Sequence, residues 1–255
     1  MEFGFVPSQV VKELEEFGNW KARSAAVDKL YSALQKVQDK DMLLPTLSKL
    51  LRFLAILGED ANFKISLSTM QIMADLTLKL GRDIRPYLGY LPWDIMPGLI
   101  DKLGDNKVAV RQANGKLLAV LMSVLQPATV LDALSPALMH GNWKVREAAV
   151  NIFIQALLTH SQAEFDYQRI VQVLVRALKD DHSRVVTVAI EALAVVHHMI
   201  GDDIQPLLIS AGASVSSRLM LAGRFASKEL PGIKADGAVE HEASAVPIPC
   251  NLAAY

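Results

Sequence analysis

The stretch Gly141-Asn142-Trp143-Lys144-Val145-Arg146 decides the fold, because it joins a turn to a basic residue and to the start of a helical pattern. Four further stretches repeat this phrase: Gly18-Asn19-Trp20-Lys21-Ala22-Arg23, Asp60-Ala61-Asn62-Phe63-Lys64-Ile65, Gly104-Asp105-Asn106-Lys107-Val108 and Asp181-His182-Ser183-Arg184-Val185. Their basic residues fall at positions 21, 64, 107, 144 and 184, at intervals of 43, 43, 37 and 40 residues. A period of roughly 40 residues indicates helical hairpins that stack on one another.

A short polar residue stands directly before the second helix in four of these predicted hairpins. Its side-chain oxygen can accept a hydrogen bond from the backbone N–H groups that a helix start leaves exposed. The four predicted caps are Asn19, Asn62, Asn106 and Asn142. Behind them apolar residues recur at spacings of three and four; one such set is Val150, Phe153, Ile154 and Leu157. This periodicity predicts an amphipathic helix with one buried face.

The sequence therefore predicts an all-α fold, an α-solenoid of six HEAT-type helical hairpins. The first hairpin is expected at about residues 6–17 and 20–37, and the sixth at about residues 204–226. No run of strict alternation lies between hairpin turns, so no β-strand is expected. Prolines fall near the starts or joints of the first helices, where a missing N–H costs little. These prolines are Pro86, Pro92, Pro127 and Pro206.

The composition changes near residue 228. Residues 1–228 are expected to form one domain, and residues 229–255 a C-terminal extension that packs near Leu230 and Ile233 and is then irregular. Pro and Gly interrupt regular structure when they occur at high density. In this extension they are Pro231, Gly232, Gly237, Pro247 and Pro249.

Composition and charge exclude two classes of protein. Hydrophobic residues make up 51% of the chain and charged residues 21%, which is the opposite of the balance in a disordered chain. The chain has 26 basic and 27 acidic residues. This near-neutral balance excludes a nucleic-acid binder that works by bulk positive charge, so a charged partner must be recognised by a local patch.

The single cysteine and the apolar stretches bear on the cellular location. Cys250 alone cannot form a disulfide framework or a cysteine-based zinc site, and a single cysteine fits a reducing compartment. The N-terminus lacks the basic start and apolar core of a signal peptide. The apolar stretches 117–131 and 185–200 are interrupted by polar residues, so we expect buried helices rather than membrane spans, and no membrane partner.

The sequence carries no motif for catalysis or cofactor binding. It has no phosphate-binding glycine loop, no Gly-x-Ser-x-Gly elbow and no His-Glu-x-x-His zinc helix. His197 and His198 point about 100° apart on a helix, so we expect one in the core, one at the surface and no shared metal ion. Glu240-His241-Glu242 is a weak metal candidate within the extension. We therefore expect no enzyme, no metal and no cofactor.

The turns of a solenoid of hairpins lie along one edge, because every hairpin has the same orientation. This edge is expected to collect basic and aromatic residues even though the chain is neutral overall, which creates a local surface for an acidic partner. Its members are Trp20, Lys21, Asn62, Phe63, Lys64, Lys107, Trp143, Lys144, Arg146 and Arg184.

Three turns resemble the loops of tubulin-binding TOG domains, six-repeat HEAT paddles found in microtubule polymerases, CLASP proteins and the ciliary crescerins. They are Asn19-Trp20-Lys21-Ala22-Arg23, Asp60-Ala61-Asn62-Phe63-Lys64 and Asn142-Trp143-Lys144-Val145-Arg146-Glu147. Residues 4–8, 224–231 and 237–240 are similar to crescerin in particular. The resemblance covers about residues 4–242. It implies a flat paddle that binds the αβ-tubulin heterodimer or the microtubule lattice, as a monomer or as one member of an array.

The resemblance also implies roles for single residues. Trp20 matches the aromatic residue that TOG domains press into β-tubulin, with Lys21 beside it; several crescerin-like relatives have tyrosine there, and tryptophan resembles the polymerase domains. The implied contacts of the second and third loops are Asn62, Phe63, Lys64 and Lys107. Those of the fourth and fifth loops, which face α-tubulin, are Lys144 and Arg184. The implied location is the cytoplasm and cytoskeleton, in a cilium or axoneme.

Each of these side chains also has a purely structural interpretation. Trp20 could pack on its own turn, and Phe63 and Trp143 are expected to be partly buried. The lysines could be solvated surface charges. The arginines expected to form ion pairs inside the solenoid are Arg23, Arg111 and Arg146. The alternative function is a HEAT-repeat scaffold that binds a protein other than tubulin.

Overall fold

The structure, a computed structural model, describes residues 1–16, 18–87, 95–227, 229–234 and 239–240. Within these residues the α-helices form six consecutive pairs, which confirms the predicted solenoid. The first helices of the pairs are α1 (Ser8–Glu15), α3 (Leu47–Gly58), α5 (Met96–Lys102), α7 (Pro127–Leu134), α9 (Tyr167–Ala177) and α11 (Ile204–Ser210). The second helices are α2 (Trp20–Lys36), α4 (Phe63–Leu80), α6 (Val108–Val124), α8 (Trp143–Thr159), α10 (Ser183–Ile200) and α12 (Val215–Phe225).

Short 3₁₀ helices connect or precede several of these elements. They span Lys40–Met42, Leu44–Thr46, Gly81–Tyr87, Ser135–Met139, Gln162–Glu164 and Gly201–Asp203. Gly81 and Gly201 end α4 and α10 with φ angles of 54° and 60°, a conformation in which a side chain is costly. Pro127 opens α7 as predicted, Pro86 lies inside a 3₁₀ helix, and Pro92 lies outside the described residues.

The core runs through all six pairs without interruption, because each second helix packs against the second helix of the neighbouring pair. The central side chains are almost fully enclosed, with Leu30, Met70, Leu118, Phe153 and Leu193 each 1% exposed or less. Burying one such side chain contributes roughly 1.5–3 kcal/mol. A single hairpin has no partner for this face, so stacking of neighbours is what stabilises the fold.

By length and composition, one described segment, Ser183–Ser210, could cross a membrane. Its principal helix α10 packs against α8, α9 and α12, and buries Val188, Ala192 and Leu193 completely or nearly so. These contacts are those of a core helix in a stack of hairpins, as predicted for residues 185–200.

The C-terminal extension contains a feature that the sequence did not predict. Strands β1 (Gly232–Ile233) and β2 (Val239–Glu240) pair antiparallel, with Ile233 opposite Val239. Leu230 and Val239 pack against the solenoid core, while Ile233, expected to pack as well, is exposed. A two-residue ladder has no sequence period to recognise, since alternation needs several residues. The proposed boundary at residue 228 stays a prediction.

Candidate functional site

The first five turns between paired helices form one continuous surface, which we call the turn edge: residues 18–23, 59–66, 103–111, 140–147 and 178–184. Contacts join each pair of neighbouring turns. Arg23 forms an ion pair with Asp60, and the Lys102 ammonium lies 3.3 Å from the carbonyl oxygen of Asp60. A Cβ atom on Gly104 would lie 2.7 Å from Val145, so the third turn packs directly on the fourth.

An aspartate shapes three of these turns in the same way. The carboxylates of Asp60, Asp105 and Asp180 each accept a hydrogen bond from the backbone N–H two residues further on, at 2.7, 2.7 and 2.8 Å. This local bond is the one that favours aspartate in turns. It fixes where the following helix begins, and therefore which side chains project at the turn edge.

Three of the four predicted asparagine caps are confirmed. The side-chain oxygens of Asn19, Asn62 and Asn142 accept hydrogen bonds from backbone N–H groups at the starts of α2, α4 and α8, at 3.0–3.1 Å. The prediction for Asn106 is wrong, because α6 begins one residue later and Lys107 occupies its cap position. Asp105 holds the backbone of Lys107, so the turn does not need an asparagine cap.

Two aromatic residues project from consecutive helix starts of the turn edge. Trp20 opens α2 and is 48% exposed; Phe63 opens α4 and is 39% exposed. The expectation that Phe63 is partly buried is therefore wrong. Its ring has the Lys107 ammonium 5.4 Å from its centre, and the Trp20 ring has the Lys21 ammonium at 5.9 Å. Both rings thus combine apolar area with a nearby positive charge.

Val108 is a turn-edge residue that the sequence analysis missed. It opens α6 at the position that Trp20 and Phe63 occupy in their own helices, and it is 55% exposed. An alignment of the repeats on their basic residues places Lys107 opposite Lys21 and Lys64, and therefore Asn106, not Val108, opposite Trp20 and Phe63. Aligning them on the turn aspartates, with Asp105 two residues before the helix cap, would have found it.

The fourth and fifth turns are joined by a polar and aromatic network. Arg146 donates two hydrogen bonds to the Asp180 carboxylate, at 2.6 and 2.8 Å, which confirms its expected structural ion pair. This guanidinium lowers the pKa of Asp180 below its usual value. The Trp143 ring stacks on the His182 imidazole at 3.9 Å, so Trp143 is partly buried as expected.

The predicted ion pairs of the other arginines differ in outcome. Arg23 is buried, pairs with Asp60 and also donates to the carbonyl oxygen of Leu14 at 2.9 Å. Arg111 instead donates to the backbone oxygen of Asp105 at 2.6 Å. Both arginines therefore stabilise the turns.

The basic residues of the turn edge fall into two groups. Lys64 and Lys144 occupy the second positions of α4 and α8, are exposed, and form no ion pair with any residue that the structure describes. Arg184 occupies the second position of α10 and is held by the Glu147 carboxylate. This surface has exposed apolar side chains in its first three turns and basic side chains along its whole length, which suits a protein partner with acidic regions.

Histidine and acidic side chains outside the turn edge were candidates for a metal site. Within the described ranges, no group of three or more His, Cys, Asp or Glu side chains could hold a metal ion. His197 stacks on Phe225 and is partly buried, while His198 is exposed, as expected for two adjacent helical residues. Of the weak metal candidate, His241 and Glu242 lie outside the described residues.

The chain is similar to proteins of one family. The model of the XMAP215/Dis1/CLASP TOG domain family matches residues 13–211. The human and mouse proteins named TOG array regulator of axonemal microtubules protein 1 are each 30% identical to it over 248 residues. The match covers 94% of this chain and 14% of each relative, so the chain spans a small part of their length.

Solved structures agree with the observed fold. A structure from work on crescerin, which uses a TOG domain array to regulate microtubules in the primary cilium, matches with a TM-score of 0.83 and 29% identity. The match covers 95% of this chain and 98% of that one. The third TOG domain of Drosophila melanogaster Mini spindles matches with a TM-score of 0.72 at 16% identity, over 89% of this chain and 97% of that one, which shows the shared fold.

Proposed function

Because this chain belongs to the TOG domain family of XMAP215, Dis1 and CLASP, we propose that it binds αβ-tubulin through the turn edge and so regulates microtubule polymerisation or stability. Membership gives the chain a role connected with microtubules, and the family is not a known family of enzymes. We further propose which edge of the chain binds tubulin, which residues form the contacts, and that the chain acts in a cilium.

The observation that carries the proposal is the exposure of Trp20 at the start of α2. About half of the Trp20 side chain is in contact with water in the free protein. A partner that covers this ring removes apolar area from water, which contributes favourably to the binding free energy. Such anchors typically carry 2 kcal/mol or more of binding free energy. Charges around an anchor mainly set the association rate and its dependence on salt.

The proposed contact residues divide by their environment. The first three turns, called the apolar end because they carry the exposed rings of Trp20 and Phe63, also contain three lysines; the last two turns, the basic end, contribute basic side chains alone. The residues of the apolar end are Trp20, Lys21, Asn62, Phe63, Lys64 and Lys107, and those of the basic end are Lys144 and Arg184. Asn62 uses its side-chain oxygen to cap α4, so its proposed role is to shape the loop beside Phe63. The basic end would face an acidic part of the tubulin surface, where opposite charges favour one orientation of the complex.

The experiment is size-exclusion chromatography of the chain with purified αβ-tubulin. Wild type should co-elute with tubulin, and Trp20→Glu should not, because a charge would replace the anchor. Leu78→Glu is the matched control: Leu78 is a similarly exposed apolar residue on α4, about 22 Å along the helix from Phe63. All three proteins should show the same helical circular dichroism spectrum.

The outcomes separate the candidate functions. Equal co-elution of wild type and Trp20→Glu would remove Trp20 from the interface. Failure of wild type to bind tubulin at any salt concentration would favour the alternative, a HEAT-repeat scaffold for a different protein. The affinity of wild type for tubulin should also fall as the salt concentration rises, since salt screens the exposed charges. An affinity that does not change with salt would show that these charges do not contribute to binding.

The proposed setting is the cytoskeleton of a cilium, with the chain acting as a monomeric unit of a TOG array. The similarity to the axonemal relatives and to the crescerin structure supports it. A fluorescently tagged chain expressed in ciliated cells should then accumulate along axonemal tubulin. Uniform cytoplasmic signal in cells with intact cilia would argue against this setting without affecting tubulin binding in solution.

A further inference from the structure

We propose that Glu147 and Trp143 are positioning residues, which hold the Arg184 guanidinium ready for the partner without touching the partner themselves. This inference rests on the proposed tubulin-binding function and assigns a division of labour within the turn edge. The fifth turn supplies the contact, and the fourth turn sets its geometry.

The Arg184 side chain is held from two directions. Its Nε donates to Glu147 Oε1 at 2.9 Å, and its Nη2 lies 2.9 Å from the same oxygen. The centre of its guanidinium lies 5.2 Å from the centre of the Trp143 ring, within the range of a cation–π contact. No other described residue accepts a hydrogen bond from Arg184, so the remaining N–H groups stay available to a partner.

The supporting side chains are themselves fixed. The Glu147 side chain is 16% exposed, whereas that of Arg184 is 64% exposed, so the carboxylate is partly buried and the guanidinium lies at the surface. Trp143 is packed against the core and stacked on His182, with only 6° between the ring planes. The exposed guanidinium of Arg184 is therefore held by two partly buried side chains, those of Glu147 and Trp143.

Further hydrogen bonds connect the fourth turn to the fifth. The backbone N–H of His182 donates to Asp180, and Asp180 receives both hydrogen bonds from Arg146. Arg146 also donates to the carbonyl oxygen of His140 at 2.7 Å. Because these bonds tie the fourth turn to the fifth, a shift of Trp143 relative to Arg184 would break several contacts at once.

Pre-ordering of this kind affects binding more than stability. A long side chain that is immobilised only on binding opposes association through its lost rotamer freedom, and one that is already held avoids that loss. By contrast, an ion pair with one exposed partner adds little to folding stability. Lys144 forms no ion pair with any residue in the described part of the chain, so Arg184 is the pre-ordered cation of the last two turns.

The test measures the dissociation constant for purified αβ-tubulin alongside thermal unfolding. Glu147→Gln should weaken binding about two- to tenfold, the effect expected for one side chain that must be ordered on binding, and leave the melting temperature close to wild type. Asp132→Asn is the matched control, since Asp132 pairs with Arg169 on α7 and α9, outside the turn edge. It should leave binding unchanged.

A double-mutant cycle distinguishes positioning from direct contact. If Glu147 acts through Arg184, the variant Arg184→Ala/Glu147→Gln should bind no more weakly than Arg184→Ala alone. Additive losses would mean that Glu147 touches the partner and would overturn the proposal. Trp143→Phe keeps an aromatic face and should bind nearly as wild type. Trp143→Ala should weaken binding about as much as Glu147→Gln and, unlike it, lower the melting temperature, because Trp143 also packs against the core.

The proposal and the function it rests on fail differently. If Arg184→Ala weakens binding and Glu147→Gln does not, the positioning role is wrong and tubulin binding through the turn edge stands. If Arg184→Ala has no effect while Trp20→Glu abolishes binding, the fifth turn is not part of the interface. The positioning role of Glu147 and Trp143 is then wrong as well. If wild type does not bind tubulin, both fail.

Discussion

The ammonium group of Lys107 lies 5.4 Å from the centre of the Phe63 ring, across the boundary between the second and third helix pairs. The two residues are therefore neighbours on the turn edge although 44 positions separate them in the sequence. A lysine over an exposed aromatic ring is worth about 0.5–1 kcal/mol. The pair orients the ring and the charge together, so neither residue should act alone in binding.

The first prediction concerns this coupling. Phe63→Ala and Lys107→Ala should each weaken tubulin binding, and the double variant should lose less than the sum of the two changes, by about 0.5–1 kcal/mol. Dissociation constants for the four proteins of the cycle measure this coupling. Strict additivity would show that the two side chains contribute independently.

The sequence predicted the turns well because their chemistry is local. Asn19, Asn62 and Asn142 bond to backbone groups within three residues, so a short phrase contains all the information needed. The one-residue offset at Lys107 escaped because Asp105 can set a helix start without an asparagine cap. A sequence period that is correct to within one residue is enough to predict the fold. It does not identify which side chains project at the binding surface.

Burial at the turn edge depends on contacts between repeats, which a single phrase does not show. Trp143 and Phe63 both open a second helix, yet His182 stacks on Trp143 whereas Phe63 stays exposed. The residue that makes the difference lies 39 positions after Trp143. The role of Glu147 was hidden for the same reason, since its partner Arg184 belongs to the next pair of helices.

A second prediction follows from the exposure of Val108 beside Phe63 and Lys107. Replacing Val108 by Glu should weaken tubulin binding by roughly 1–2 kcal/mol, because a charge would enter the apolar end of the interface. The control is again Leu78→Glu, which changes an exposed apolar residue away from the turn edge. If both variants bind as tightly as wild type, the apolar end does not reach the third turn.

A third prediction addresses the stability of the row of turns. Arg23→Ala should lower the free energy of unfolding by about 3–5 kcal/mol, because it leaves the buried carboxylate of Asp60 without its positively charged partner. Arg169→Ala, which breaks the exposed pair with Asp132, should change stability by less than about 1 kcal/mol. Urea unfolding followed by circular dichroism measures both. Similar losses in the two variants would contradict the structural role of Arg23.

The last prediction concerns pH and the pair formed by Arg146 and Asp180. Hydrogen bonds from Arg146 lower the pKa of Asp180 in the folded chain below its ordinary value of 3.8. A carboxyl group with a lowered folded pKa contributes stability that is fully present above the unfolded pKa and is lost as pH falls through the folded pKa. The contribution of Asp180 should therefore be constant from neutral pH down to about pH 5 and decline below about pH 4.

The difference in unfolding free energy between wild type and Asp180→Asn, measured across that range, isolates this contribution, because most other carboxyl groups titrate equally in both proteins. The difference should be large at pH 7, unchanged at pH 5 and smaller near pH 3. Arg146→Met should reduce the pH dependence, since without the guanidinium the folded and unfolded pKa values of Asp180 move together. A difference that grows as the solution is acidified would mean that Asp180 is stabilised in its protonated form, contrary to the hydrogen bonds it accepts from Arg146 and from the backbone of His182.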